Sequence, residues 1–322
     1  MALKPLLEIQ DLHVSFGPVQ VANGVHLTVG EGEFLALVGE SGCGKSVTAL
    51  SVTGLLPDSA RIKGKILFRG KDLLALSENE LRPVRGGEIA YIFQEPATSL
   101  NPVLTVGDQI GEVLQFHRGL SKGDIQKEVV SLLAKVGIGN PEERFRAYPH
   151  ELSGGMKQRV MIAMVIASRP KLIIADEPTT ALDVTVQKEI LSLLLDLKRE
   201  LNLALLFITH DLSVVFQSAE KVAIMYCGKV VEQGKTVDVL TSPLHPYTLG
   251  LIRCVPKPGL RKSELPVIPG SVPNPVMLPT GCHFHPRCSF KVPRCEKEYP
   301  PVEETKPAHE VRCFEAEKVA TS

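Results

Sequence analysis

The sequence predicts a mixed α/β phosphate-binding core, interrupted by an all-helical insertion and followed by an irregular C-terminal extension. Three observations carry that expectation. Strand-like and helical patterns alternate on both sides of residues 105–167, where the pattern is helical alone. A glycine-rich run, Gly39-Glu40-Ser41-Gly42-Cys43-Gly44-Lys45-Ser46, follows an apolar strand and opens a helix. Half of the 24 prolines lie between Pro256 and Pro307, and four of the seven cysteines lie in the same C-terminal tail, at 282, 288, 295 and 313.

Taken in order, Leu6 to Phe16, Val21 to Val29 and Phe34 to Val38 alternate apolar and polar residues, as half-buried strands do. A helix is predicted from near Gly44 to Pro57, then strands over Arg61 to Phe68 and Ile89 to Phe93. The insertion, about residues 100–168, has helical spacing at Asp108 to Phe116, Ile125 to Val136 and Met156 to Ala167. Afterwards come a strand at Leu172 to Ala175, a helix from Val184 to Glu200 and a strand at Leu203 to Ile208. A hairpin pairs Val222 to Met225 with Val230 to Glu232 across Cys227-Gly228-Lys229. The predicted organisation is a core over 1–255 and an extension over 256–322, too rich in proline for more sheet and helix.

Composition excludes several classes. Lys+Arg and Asp+Glu are both 36, tryptophan is absent and aromatics are 5%, so neither charge nor stacking points to nucleic acid. No apolar run is long enough to cross a bilayer, and Met1-Ala2-Leu3-Lys4-Pro5 lacks the pattern of a secretory signal. A soluble, cytoplasmic chain is expected.

The chemistry starts at the glycine-rich loop. Its glycines let successive N–H groups face one concavity that suits a β-phosphate, Lys45 neutralises β/γ charge and the Ser46 hydroxyl suits Mg²⁺. The contacting set is Gly39, Ser41, Gly42, Cys43, Gly44, Lys45, Ser46 and the following Val47. The strand Leu172 to Ala175 ends in Asp176, suited to hold Mg²⁺, and Glu177, placed to orient or deprotonate a water in line with the γ-phosphate. Just upstream, Leu152-Ser153-Gly154-Gly155-Met156-Lys157-Gln158-Arg159 offers a hydroxyl, bare N–H groups and a helix N-terminus, a second element for phosphate oxygens.

To about residue 255 these residues resemble the ATP-binding subunits of ABC transporters. The resemblance implies an ABC-type nucleotide-binding domain with an antiparallel β subdomain, and ATPase activity with Glu177 and His210 as catalytic residues. Phe16 looks like the aromatic that stacks on adenine, and Gln94 like the glutamine that touches Mg²⁺ and senses the membrane subunit. Ser153, Gly154 and Gly155 look like the signature that grips the γ-phosphate bound to an opposite subunit. Asp183 looks like the loop that crosses the dimer interface, and His210 like the switch histidine. The implied partners are a second, related ATPase subunit, two separate transmembrane permeases and an external solute-binding protein, with this chain peripheral on the cytoplasmic face of the membrane.

Phe93-Gln94-Glu95-Pro96-Ala97-Thr98-Ser99-Leu100-Asn101-Pro102 and Ser242-Pro243-Leu244-His245-Pro246-Tyr247-Thr248 narrow the resemblance to the dipeptide/oligopeptide (and nickel) importers. In the extension, Cys282, Cys288, Cys295 and Cys313 are four thiols in a chain expected to be cytosolic, which reads as metal binding before disulfides. Such a set suits a tetrahedral Zn²⁺ or a [4Fe–4S] cluster, and no C-x-x-C pair favours a zinc ribbon. Some members of the importer branch carry an iron–sulfur cluster, so the cluster is the favoured expectation and zinc the alternative. The extension shows no other core in its sequence, so the metal is expected to supply its folding energy.

Overall fold

A computed structural model of the chain describes residues 4–180, 182–255 and 266–321. Met1 to Leu3, Ala181 and the stretch 256–265, where the extension is expected to begin, lie outside them. The strands are β1 (Pro5–Phe16), β2 (Val19–Gly30), β3 (Phe34–Val38), β4 (Ala60–Phe68), β5 (Lys71–Asp72) and β6 (Ile89–Ile92). They continue with β7 (Leu172–Asp176), β8 (Ala204–Thr209), β9 (Lys221–Tyr226), β10 (Lys229–Lys235), β11 (Glu303–Lys306) and β12 (His309–Val311). The helices are α1 (Lys45–Thr53), α2 (Glu78–Val84), α3 (Pro96–Ser99), α4 (Val106–Arg118), α5 (Lys122–Lys135) and α6 (Pro141–Arg144). Then come α7 (Gly154–Ala167), α8 (Val184–Leu201), α9 (Leu212–Ser218), α10 (Thr236–Thr241), α11 (Pro246–Arg253) and α12 (Ala316–Ala320). Every strand and helix predicted before residue 255 is present near its expected place.

The described residues form two compact units. One takes in Gly30–Gly32 and the described residues of Ala75–Phe207, the other Pro5–Val29, Glu33–Leu74 and the described residues after Phe207. In the first, β6 and β7 pair in parallel with Tyr91 opposite Ile174, and β7 is buried along its whole length. Around them α4, α5 and α7 pack together. Helix α7 buries residues on all sides, as expected of a helix that is apolar all round. Helix α2, absent from the sequence reading, starts at a Ser77–Glu80 capping box and holds Pro83 in its last turn.

In the second unit, β2, β1, β4 and β5 form an antiparallel sheet, the expected β subdomain. Strand β3 pairs in parallel with β9, which forms the predicted hairpin with β10. The extension departs from expectation here. It is not irregular throughout, because β12 pairs antiparallel with β10, placing Val311 opposite Glu232, and β11 pairs with β12. The sequence hides β11 because Glu-Glu-Thr-Lys at 303–306 is exposed on every residue and has no apolar alternation to read. The turn that returns the chain holds Ala308 at φ 60. Nor does the extension lack a core. Val311, Ala316 and Leu244 form a cluster that Cys313 joins, and Phe284 is buried against Tyr226 and Tyr247, with ring centroids 5.3 and 5.5 Å away.

Glu232, buried on β10, binds the extension to the rest of this unit. Its carboxylate accepts from the backbone N–H groups of Leu244 and His245 at 2.8 and 2.9 Å and from His309 Nε2 at 2.8 Å. Glu232→Ala leaves three buried donors without their acceptor and is expected to cost about 3–5 kcal/mol in a denaturant titration. Beside it, burial pushes His245 down from its ordinary 6.5 to about 3, and its neutral Nδ1 accepts from the Tyr247 N–H at 3.1 Å. Because the folded value lies below the unfolded one, the unfolded chain takes up the proton first as pH falls. Stability is therefore expected to decline from pH 6.5 toward 3, and less so in His245→Asn, measured as melting temperature against pH.

Candidate nucleotide-binding site

The phosphate loop lies in the second unit, between β3 and α1. Two glycines show why the loop has its composition. A Cβ at Gly39 would stand 2.2 Å from the Met225 carbonyl oxygen, and one at Gly44, at φ 102, would stand 2.5 Å from that of Val21. Lys45 is 5% exposed, and its Nζ donates to the carbonyls of Gly39 at 2.8 Å and Glu40 at 3.0 Å, which holds it within the loop. Cys43 is buried with its Sγ near that Nζ, and burial pushes the thiol up, so it stays neutral. Gly44 caps α1 and Ser46 and Val47 stand in its first turn, beside the orphan N–H groups of the helix start. Phe16 ends β1 and is half-buried rather than part of the core, and His210, just past β8, is exposed.

The first unit brings another set together. Asp176 ends β7, buried, and its Oδ2 accepts from the Tyr91 hydroxyl at 2.8 Å. Burial and the Asp176 charge push the Tyr91 phenol up, keeping it a donor. Glu177 follows in the left-handed backbone region at φ 44, a strained place for a residue with a side chain and one that functional residues often occupy. Its Oε2 accepts from Thr180 Oγ1 at 2.8 Å and from Gln94 Nε2 at 3.3 Å, so the structure joins the two predicted residues Gln94 and Glu177.

Ser153 is the exposed N-cap of α7, where its Oγ accepts from the Met156 N–H at 3.3 Å. Gly154 and Gly155 begin that 14-residue helix, long enough for a substantial dipole at its open end. A Cβ on Gly155 would stand 2.9 Å from Val186, whereas one on Gly154 would be in ordinary contact with Leu182. Arg159 ties this helix down through the Val136 carbonyl at 2.6 Å and Glu189 at 2.8 Å. Asp183 caps α8, accepting from the N–H groups of Thr185 and Val186, and Ala181 beside it lies outside the described residues.

Taken unit by unit, the second offers the Ser46 hydroxyl and the N–H groups of the loop and of the α1 start, and the first offers the oxygens of Gln94 and Asp176, which are donors of the kind a hard cation such as Mg²⁺ takes. The cysteine set fits less simply. Cys282, Cys288, Cys295 and Cys313 are all unbridged, and the other three thiols act electrostatically on Cys313. Burial pushes Cys282 up to about 11 and Cys313 to about 12. Among the described residues, however, no three His, Cys, Asp or Glu side chains are arranged to hold a metal ion. The arrangement of these thiols therefore supports neither the favoured cluster nor the zinc alternative.

Sequence reasoning missed Tyr91, Tyr247 and Arg287. Tyr91 is 85 residues from its partner Asp176 and is brought there by the pairing of β6 with β7. Tyr247 lies in the Ser242–Thr248 motif, and its hydroxyl oxygen accepts from the Glu40 N–H of the phosphate loop at 2.9 Å.

Comparison with known proteins gives the family and the fold. The family model "ABC transporter" matches residues 22–180, and "Oligopeptide/dipeptide transporter, C-terminal region" matches 231–295. The chain is 48% identical to the dipeptide transport ATP-binding protein DppD of Bacillus subtilis, over 97% of this chain and 95% of that one. It belongs to the ABC transporter family. The oligopeptide transport ATP-binding protein OppD of Salmonella typhimurium is likewise 48% identical, over 96% of this chain and 93% of its own. Among solved structures, a dimeric post-hydrolysis state of the ATP-binding cassette MJ0796 bound to ADP and Pi superposes with TM-score 0.63 at 28% identity, covering 71% of this chain and 98% of that one. CbiO1 from Clostridium perfringens, part of the complex cbiONQ, gives 0.64 at 30% identity, covering 74% and 91%. This chain therefore carries the ABC ATPase fold, bearing the C-terminal region of oligopeptide/dipeptide transporters. Among the described residues, no helix is long and apolar enough to cross a membrane.

Proposed function

We propose that the chain is the ATP-hydrolysing, energy-coupling subunit of an importer of di- or oligopeptides. The observation that carries this is that one chain holds both an intact acidic centre and an intact signature: Glu177 bonded by Gln94 and Thr180, and Ser153 exposed at the start of α7. The loop N–H groups and Lys45 hold the β- and γ-phosphates, and Phe16 stacks on the adenine. Glu177 takes the proton of the attacking water, while His210 contacts the γ-phosphate. Ser46, Gln94 and Asp176 are the residues that would hold Mg²⁺, which when bound would supply charge neutralisation at the phosphate oxygens.

Ser153, Gly154 and Gly155 complete the site of a second ATPase subunit, and Asp183 lines the seam between the two. The dimer formed by the cassette MJ0796 supports this reading. Closure of the pair is favoured by ATP because ATP binds the closed state better, and that difference moves two permeases supplied with peptide by an external binding protein. Phe93, in the segment that carries the importer resemblance, and Val103 and Leu104 just after it are exposed, and they suit docking to such permeases at the cytoplasmic membrane face. Functionally, 1–255 then serves as the motor and 256–322 as its branch-specific extension. A transporter carrying nickel or another small solute is the alternative.

A composite site makes the rate depend on assembly. The dilute chain is expected to hydrolyse ATP slowly and the complex with its permeases much faster; equal rates per chain would contradict the proposal.

A [4Fe–4S] cluster on Cys282, Cys288, Cys295 and Cys313, with Zn²⁺ as the alternative, is part of this proposal and rests on the four cysteines of the extension and on the importer resemblance. Anaerobic purification is expected to give brown protein with iron and sulfide in equal amounts. Colourless, iron-free protein would rule it out.

A further inference from the structure

Arg287, in the C-terminal extension, reaches the phosphate loop. Its Nη1 and Nη2 donate to Glu40 Oε2 and Oε1 at 2.9 and 3.2 Å, a bidentate fork, and its Nε donates to the Pro269 carbonyl at 2.9 Å. The Arg287 side chain is 4% exposed, and its guanidinium carbon lies 5.9 Å from the ring centres of both Tyr226 and Phe284. A buried guanidinium locked by two faces and one carbonyl has little freedom, so the carboxylate it grips is held in place.

Glu40 is a loop residue engaged at all three of its polar groups. Its N–H donates to Tyr247, its carbonyl accepts from Lys45 Nζ at 3.0 Å and its carboxylate meets Arg287. The backbone that steers Lys45 is thus fixed from outside the loop, by a residue 247 positions away. Phosphate binding to such a loop depends on several N–H groups and one ammonium converging together, so a displaced Glu40 weakens them jointly.

We propose that Arg287 is a positioning residue for nucleotide binding: through Glu40 it holds the phosphate loop in its binding conformation, so the extension sets the ATP affinity of its own chain. This rests on the reading of Gly39–Ser46 as the ATP site. The test titrates the full-length chain with a fluorescent ATP analogue, in wild type, Lys45→Ala, Glu40→Gln, Arg287→Gln and Arg287→Lys. Glu40→Gln and Arg287→Gln are expected to weaken binding about tenfold each, and the double variant no more than either alone. In the assembled transporter both raise KM for ATP with kcat largely kept, and Arg287→Lys, which keeps the charge but loses the fork, falls between.

If Arg287→Gln does not fold, Glu40→Gln carries the test, because it leaves Arg287 its contacts with Pro269 and Tyr226. Wild-type affinity in Glu40→Gln, with Lys45→Ala impaired, overturns the proposal and spares the site. Wild-type affinity in Lys45→Ala overturns the site itself, and the proposal with it.

Discussion

Glu177→Gln is expected to leave ATP binding intact and to slow ATP turnover by about 10²–10⁴-fold. The amide has the shape of the carboxylate and still accepts from Thr180 and Gln94 through its oxygen, so the local fold at φ 44 has no reason to change. What the amide loses is the capacity to take a proton from water. The loss is therefore of the chemical step rather than of affinity, and it appears as bound ATP that is not cleaved. Single-turnover hydrolysis beside an equilibrium titration separates the two. Turnover near wild type would show that another group activates the water.

The second large effect concerns Gly44. At φ 102 a side chain is strained in any case, and a Cβ there meets the Val21 carbonyl oxygen at 2.5 Å and Met225 Cε at 3.0 Å. Relief requires the loop to move, together with Lys45, the next residue. Gly44→Ala is expected to weaken ATP binding at least about 100-fold, with much of the cost coming from the backbone contact. Gly42→Ala is the control: its φ is 78, but no atom lies within 4 Å of the added Cβ, so only the conformational cost remains. Calorimetric titration of both variants checks the order, and equal losses would mean that strain rather than crowding governs the loop.

The residues most legible in the sequence are those whose chemistry is local. The glycines of 39–44 and the apolar strand ending at Asp176 announce themselves because spacing and residue type are the constraint. The same holds for Ser153 as the cap of α7 and Asp183 as the cap of α8, where the side chain answers N–H groups two or three residues away. Long-range pairings are silent in the sequence. Tyr91 finds Asp176 only because β6 and β7 pair in register, and Arg287 finds Glu40 only after the extension folds back. Strand β11 is hidden for a different reason: its four residues are all exposed at the outer end of the pairing. The cysteines were visible as a set, but whether they close on a single ion is a matter of ångströms, which spacing along the chain does not specify.

Peptide uptake driven by ATP tests the central claim most directly. The chain is assembled in sealed vesicles with its permeases, a related ATPase subunit and the binding protein, with ATP on the side that holds the ATPases. Labelled di- or oligopeptide is then followed as it accumulates on that side. The account predicts uptake that needs ATP and is lost when Glu177→Gln replaces the wild-type chain. Uptake that proceeds without ATP, or that survives Glu177→Gln unchanged, would contradict it.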